Sequence, residues 1–250
     1  PCDIDAIEDI AQRNGIKVIY DAAHCFGVKY KDKSIFAYGD ISITSFHTTK
    51  LFHTIEGGGI FTKNEALLKK INYMRNFGYS GTDTFSEVGT NAKNSEFHAA
   101  MGLCNLPHIA EILQARKELY NFYKYNLELA DLQFQIIQPG ADFNYAYFPV
   151  IFETEEAMLN CMKQLEKVHV FCRRYFYPSL SALPYINHAN MPICDSIAKR
   201  IMCLPMYHTL TQLERSYIVK VIMKTLRNYT RKSIEIQAIH ENEVIEVKVV

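Results

Sequence analysis

Apolar residues recur at two spacings along this chain, and the switch between them predicts helices layered on short strands. In residues 3–14, Ile4, Ile7, Ile10 and Ala11 share one helical face. Asp3 stands where an N-cap belongs, and Gly15 ends the run. Residues 17–21 and 41–46 are apolar, β-branched runs bounded by turn residues, and 57–62 reads as a third strand. Asn64 opens a second stripe through Leu67, Leu68, Ile71 and Met74, closed at Gly78. Residues 79–94, rich in Gly, Ser, Thr and Asn, read as an ordered loop. A longer helix begins at Ser95, is divided at Pro107 and runs on towards Tyr123.

Beyond that helix the character changes. Residues 134–138 and 145–152 read as strands, and Thr154 caps a helix over 155–167. Thr211 with Glu214 forms a capping box for a helix to Arg227. From Ile234 to Val249 the apolar positions alternate, which reads as a terminal hairpin. The pattern predicts an α/β layer with a largely parallel sheet over 1–120, connecting helix included. A smaller α+β domain over 121–229 and a tail over 230–250 follow.

Length and composition narrow the classes. At 250 residues the chain can bury a sizeable core. Lys plus Arg and Asp plus Glu both number 27, which argues against a generic binder of nucleic acid or anionic membrane. No apolar run reaches the roughly 20 residues of a membrane span, and no signal peptide is visible. The seven cysteines are scattered, without a CxxC pair, and fit reduced thiols in the cytosol. The nine histidines show no metal-ligand spacing, so no metal is expected.

The chemistry concentrates around Lys50. Val18-Ile19-Tyr20 ends in Asp21-Ala22-Ala23-His24, and the strand over 41–46 leads through His47 to Lys50, with Glu56-Gly57-Gly58-Gly59 beyond. An acid closing one strand and a lysine just past the next suit pyridoxal 5′-phosphate: the amine holds the cofactor covalently, and the acid keeps its ring nitrogen protonated. A surface lysine and a strand-end aspartate are the plainer alternatives.

These stretches together resemble the sugar aminotransferase family typified by DegT, DnrJ and StrS. The resemblance runs over about residues 1–228. It continues through Gly89-Thr90-Asn91-Ala92-Lys93, Ala99-Ala100-Met101-Gly102-Leu103, Tyr175-Phe176-Tyr177-Pro178 and Leu204-Pro205-Met206-Tyr207. It implies a fold-type I pyridoxal-phosphate-dependent transferase, of which this chain carries the later part of the large mixed-sheet α/β domain and a small α+β domain. Lys50 would be the cofactor lysine and the proton carrier. Asp21 would pair with the ring nitrogen, His24 would reach its phenolic oxygen and Ser45 its phosphate. Asn91 would reach the phosphate of a neighbouring subunit's cofactor, in a homodimer with a shared active site. Lys93 replaces the family's usual arginine and loses its bidentate fork.

Arg173, Arg174 and Tyr177 suit a nucleotide diphosphate, with a solvated basic pair as the plain alternative. The implied partners are a nucleotide-linked keto-sugar and an amino-acid donor, glutamate, with no nucleic acid and no membrane. The finer match is to cytoplasmic transaminases that supply amino-dideoxyhexoses for O-antigen and other surface polysaccharides. Two alternatives stay open. Related keto-sugar dehydratases carry histidine in place of the lysine, whereas this chain has Lys50. The chain opens at Pro1 inside a helix entry, so it reads as the C-terminal part of a longer enzyme or as a truncated, non-catalytic remnant.

Overall fold

The computed structural model describes residues 1–187 and 189–246, with side chains as far as Tyr229. Two compact units emerge. Pro1–Gln114 with Ile136–Ala146 forms the first, and Ala115–Gln135 with the chain from Tyr147 onward forms the second. The expected boundary near residue 120 therefore lies a turn and a half of helix earlier, and one short segment returns to the first unit.

In the first unit, α1 (Ile4–Asn14) starts where the Asp3 carboxylate accepts the Ala6 N–H at 3.1 Å, and it ends on left-handed Gly15. Its Ile4 packs with Ala22, Val28, Tyr30 and Ile35 into one core cluster. β1 (Ile19–Asp21) is followed by a hairpin, β2 (Lys29–Tyr30) and β3 (Lys33–Ser34), and then by β4 (Ile41–Ser45) and β5 (Gly58–Phe61). β1 and β4 run parallel, with Asp21 opposite Ile43, while β4 and β5 are antiparallel. The sheet is thus mixed, where the strand pattern had predicted a largely parallel one; the short 46–57 link allows β5 only a hairpin return. The Gly39-Asp40 motif ties the strand entries together. Asp40 accepts from the Val18 N–H and the Lys17 ammonium at 2.9 Å each, and the lysine contact holds its carboxyl below the usual range.

α2 (Glu65–Met74) is capped by Asn64 as expected. The 79–94 loop holds a small hairpin, β6 (Tyr79–Gly81) with β7 (Thr84–Phe85), whose strands are too short and polar to show in the pattern. α3 (Glu96–Asn105) is capped by Ser95. A 3₁₀ turn at Leu106–His108 around Pro107 leads into α4 (Ile109–Leu127). β9 (Ala141–Asp142) adds to the β2–β3 hairpin, bringing the 136–146 segment back.

The second unit is an antiparallel sheet with helices packed on it. β8 (Gln133–Phe134), β10 (Phe148–Ile151) and β11 (Ile201–Leu204) lie in the order β11–β10–β8. The strand expected over 134–138 stops at Phe134. α5 (Glu155–Glu166), capped by Thr154, buries Ala157, Met158, Cys161 and Leu165. α6 (Pro192–Arg200) and β11 are absent from the periodicity reading. α7 (Gln212–Glu246) begins with the Thr211–Glu214 capping box and packs Ile218 and Ile222 inward. The terminal hairpin does not form: the backbone stays helical to Glu246, and residues 247–250 lie outside the described residues. All seven cysteines are free. No helix among the described residues is long and apolar enough to cross a membrane.

Candidate active site

Because β1 and β4 are parallel, their carboxyl ends lie at the same edge of the sheet, where ligands of open α/β sheets bind. Asp21 ends β1, and Ser45 ends β4. The turn after Asp21 carries His24, and the loop after Ser45 carries Lys50. Three rings pull these segments together. Phe26, just beyond His24, stacks on Phe52 with centroids 4.4 Å apart, and Phe46 meets both edge-on. Burial of Leu51 and Phe52 anchors the loop just past the exposed Thr48 and Thr49.

The result is a contact between Lys50 Nζ and His24 Nε2 at 2.6 Å. An ammonium can only donate, so Nε2 must accept, and the ring proton sits on Nδ1. Burial pushes the His24 pKa down, the Lys50 charge adds to this, and Asp21 opposes it. The folded histidine therefore binds its proton less well than the ordinary value near 6.5. As pH falls below that value the unfolded chain takes up the proton first, so this contribution to stability is present above it and lost on further acidification. Asp21 is exposed, and its carboxylate accepts the Ala23 N–H at 3.0 Å. Ser45 Oγ accepts the His47 N–H at 3.3 Å, which leaves its own hydroxyl proton to donate elsewhere.

The Lys50 loop is closed by backbone bonds between its two arms: Phe46 N–H to the Gly57 carbonyl, Thr48 N–H to Ile55 and Thr54 N–H to Phe46, each 2.8 Å. His47 and Glu56 face each other across it at 3.5 Å. At Gly57, φ is +147° and a Cβ would stand 2.5 Å from the Thr54 hydroxyl, so the glycine run shapes the loop. α3 holds the loop from below. Gly102 lets the Thr54 methyl come close, and Asn105 Nδ2 donates to the His53 carbonyl at 2.9 Å.

Spacing alone did not reveal Asn144, which is 2 % exposed. Its Nδ2 donates to the His24 and Phe26 carbonyls, both at 2.9 Å, across about 120 residues of sequence. Asn144→Ala should cost about 1–3 kcal/mol, because two buried carbonyls lose their donor. A urea midpoint equal to that of the unchanged protein would contradict this.

The remaining candidates divide between the units. In the first, Asn91 Oδ1 accepts the Lys93 ammonium at 2.8 Å, and that ammonium lies 4.1 Å from the Phe77 ring centre. Asn91 thus keeps both amide hydrogens for another partner, along with a second lone pair on Oδ1. In the second, Arg173 exchanges backbone bonds with Cys203 and is exposed. Arg174 is already engaged: it donates to Glu155 at 2.6 Å and to the Lys199 carbonyl at 3.0 Å, and it lies 3.5 Å over the Tyr177 ring. Both hydrogen bonds use Nη2, and the guanidinium covers one face of Tyr177. No cluster of three metal-ligating side chains occurs among the described residues.

The profile of the DegT/DnrJ/EryC1/StrS aminotransferase family matches residues 1–223. The chain belongs to this family. A dTDP-4-amino-4,6-dideoxy-D-glucose transaminase of Shigella dysenteriae is 38% identical over 89% of the chain and 62% of its own length. A transaminase of the same name from Escherichia coli is 34% identical over 88% of the chain and 62% of its own length. Among solved structures, DesI in the presence of its TDP-sugar product aligns with a TM-score of 0.80 at 28% identity, covering 96% of this chain and 62% of that one. The chain therefore spans about 62% of the length of the curated relatives it matches. The mixed α/β architecture is that of the DegT/DnrJ/EryC1/StrS aminotransferases.

Proposed function

We propose that the protein transfers an amino group from an amino acid, glutamate, to a nucleotide-linked keto-deoxyhexose, with pyridoxal 5′-phosphate held on Lys50. The observation that carries this reading is the 2.6 Å contact between Lys50 Nζ and His24 Nε2 at the carboxyl ends of two parallel strands, one of which ends in Asp21. The donor set fits the cofactor: an amine for covalent attachment, a carboxylate for a ring nitrogen, an imidazole and a free hydroxyl proton for oxygens. When bound, the cofactor supplies an electron sink for the substrate carbon's electrons.

This chain's residues would do the rest. Lys50 holds the cofactor through Nζ and, once displaced, moves the proton at the substrate carbon. Its neutral neighbour His24 accepts from Nζ without adding a second positive charge. The Asp21 carboxylate stabilises a protonated ring nitrogen. Ser45 donates its hydroxyl proton to a phosphate oxygen, and Asn91 offers its amide hydrogens to the cofactor phosphate of a second subunit in a homodimer. Arg173, which is exposed, and Arg174 remain the second unit's candidates for a diphosphate.

Both relatives above are named for a dTDP-linked 4-amino-4,6-dideoxyglucose. We therefore read the acceptor as a dTDP-linked 4-keto-6-deoxyhexose, in cytoplasmic synthesis of an amino sugar for a surface polysaccharide. The lysine at position 50 favours transamination over the dehydration run by relatives with histidine there. Adding pyridoxal phosphate, reducing with borohydride and mapping peptides should place the label on Lys50. Label scattered over other lysines, with Lys50 unmodified, would refute the assignment.

A further inference from the structure

The second unit carries a groove that none of the candidate catalytic residues enters. Between α5 and α7 lies a cavity of about 560 Å³ lined by Lys167, Lys220 and Lys224 and by the amides of Asn160, Gln164 and Asn228. No carboxylate among the described residues lines it. Lys220 and Lys224 are one helical turn apart on α7, a spacing at which like charges repel and destabilise the helix. Lys167, at the end of α5, brings a third ammonium and bonds only the neutral Gln164 side chain, at 3.3 Å. Among the described residues none of the three lysines forms an ion pair, although the chain carries as many acids as bases.

A second cavity of about 450 Å³ adjoins the first, sharing Val168 and Tyr217 with it. Its lining is more apolar: Val170, Phe171, Pro205, Tyr207, Leu210 and Ile218, with His169 beside them. Phe171 is 68% exposed, Tyr207 45% and Tyr217 48%. Glu214, at its rim, is spent on capping α7 through Thr211. An aromatic floor thus runs directly into an uncompensated cationic one, with Tyr217 at the junction.

We propose that this groove binds a nucleoside di- or triphosphate, with the base against the aromatic end and the phosphates among Lys167, Lys220 and Lys224. Aromatic side chains stack on any base face, and ammonium groups bind phosphate oxygens as point charges. The two cavities together lie within the size range of small-molecule sites, whereas inorganic phosphate would leave the aromatic end empty. The asparagine and glutamine amides between the lysines can both donate and accept, which suits ribose hydroxyls. The proposal does not depend on the aminotransferase reading.

ADP and inorganic pyrophosphate, titrated calorimetrically into the full protein, test this. ADP should bind saturably, and the double variant Lys220→Ala/Lys224→Ala should lose at least tenfold in affinity at a melting temperature no lower than the parent's. Both side chains are exposed, so the fold does not need them. Tyr217→Ala should weaken ADP while leaving pyrophosphate as it was. Any ADP held elsewhere on the protein is insensitive to these changes. The proposal fails if ADP does not saturate, if the double variant binds ADP as the parent does, or if pyrophosphate binds as tightly as ADP.

Discussion

Lys50→Ala should lower transaminase turnover of the whole protein by roughly 10²–10⁴-fold, the range for loss of a positioned general base alone. Loss of the covalent link to the cofactor comes on top of that. Lys50→Arg should fail as well, because a guanidinium keeps the charge but stays protonated and forms no such link. A second readout is independent of turnover. The Lys50 charge helps to hold the His24 pKa down, so removing it should raise that pKa towards the ordinary histidine value, while burial still opposes the charged ring. An imidazole titration followed by NMR would show the shift. A Lys50→Ala protein with full activity would end the assignment, whatever the titration showed.

Phe148→Ala should cost about 3–5 kcal/mol, as for other fully buried rings truncated to alanine. Phe148 is 1% exposed at the start of the central strand of the second unit's sheet. Its ring lies 4.9 Å from Tyr120, 5.2 Å from Tyr123 and 5.9 Å from Phe134, centroid to centroid. Four rings from α4, β8 and β10 thus share one site, and removing the central one leaves a void that they cannot close without leaving their rotamers. Phe148→Leu keeps much of the volume and should cost less than half as much. The check is a pair of urea unfolding curves. Equal midpoints for the alanine and leucine variants would show that the aromatic cluster does not set the stability of this unit.

The helix starts could be read from the sequence because their chemistry is local. Asp3, Asn64, Ser95, Thr154 and Thr211 each place an oxygen on an N–H three residues on. That Asp21 and Ser45 close strands was legible for the same reason, since each apolar run marks its own end. What escaped depends on distant partners. β11 is a four-residue apolar run, Ile201–Leu204, that becomes a strand only by pairing with β10. The tail alternates as a strand would, yet as far as Glu246 its backbone continues the helix that precedes it. The bond from Arg174 to Glu155, nineteen residues earlier, likewise has no signature in the sequence around it. Asn144 offers no local signal, since its partners are the backbone carbonyls of a turn that any residues could supply.

The return of residues 136–146 to the first unit sets an order for biosynthesis. β2 lacks its partner β9, and the His24 turn lacks the Asn144 amide, until the ribosome has made α4 and the first strand of the second unit. The turn that faces Lys50 is therefore among the last parts of its own unit to be secured. A nascent chain arrested before residue 144 would hold every residue proposed to contact the cofactor, with the His24 carbonyl still lacking the Asn144 amide.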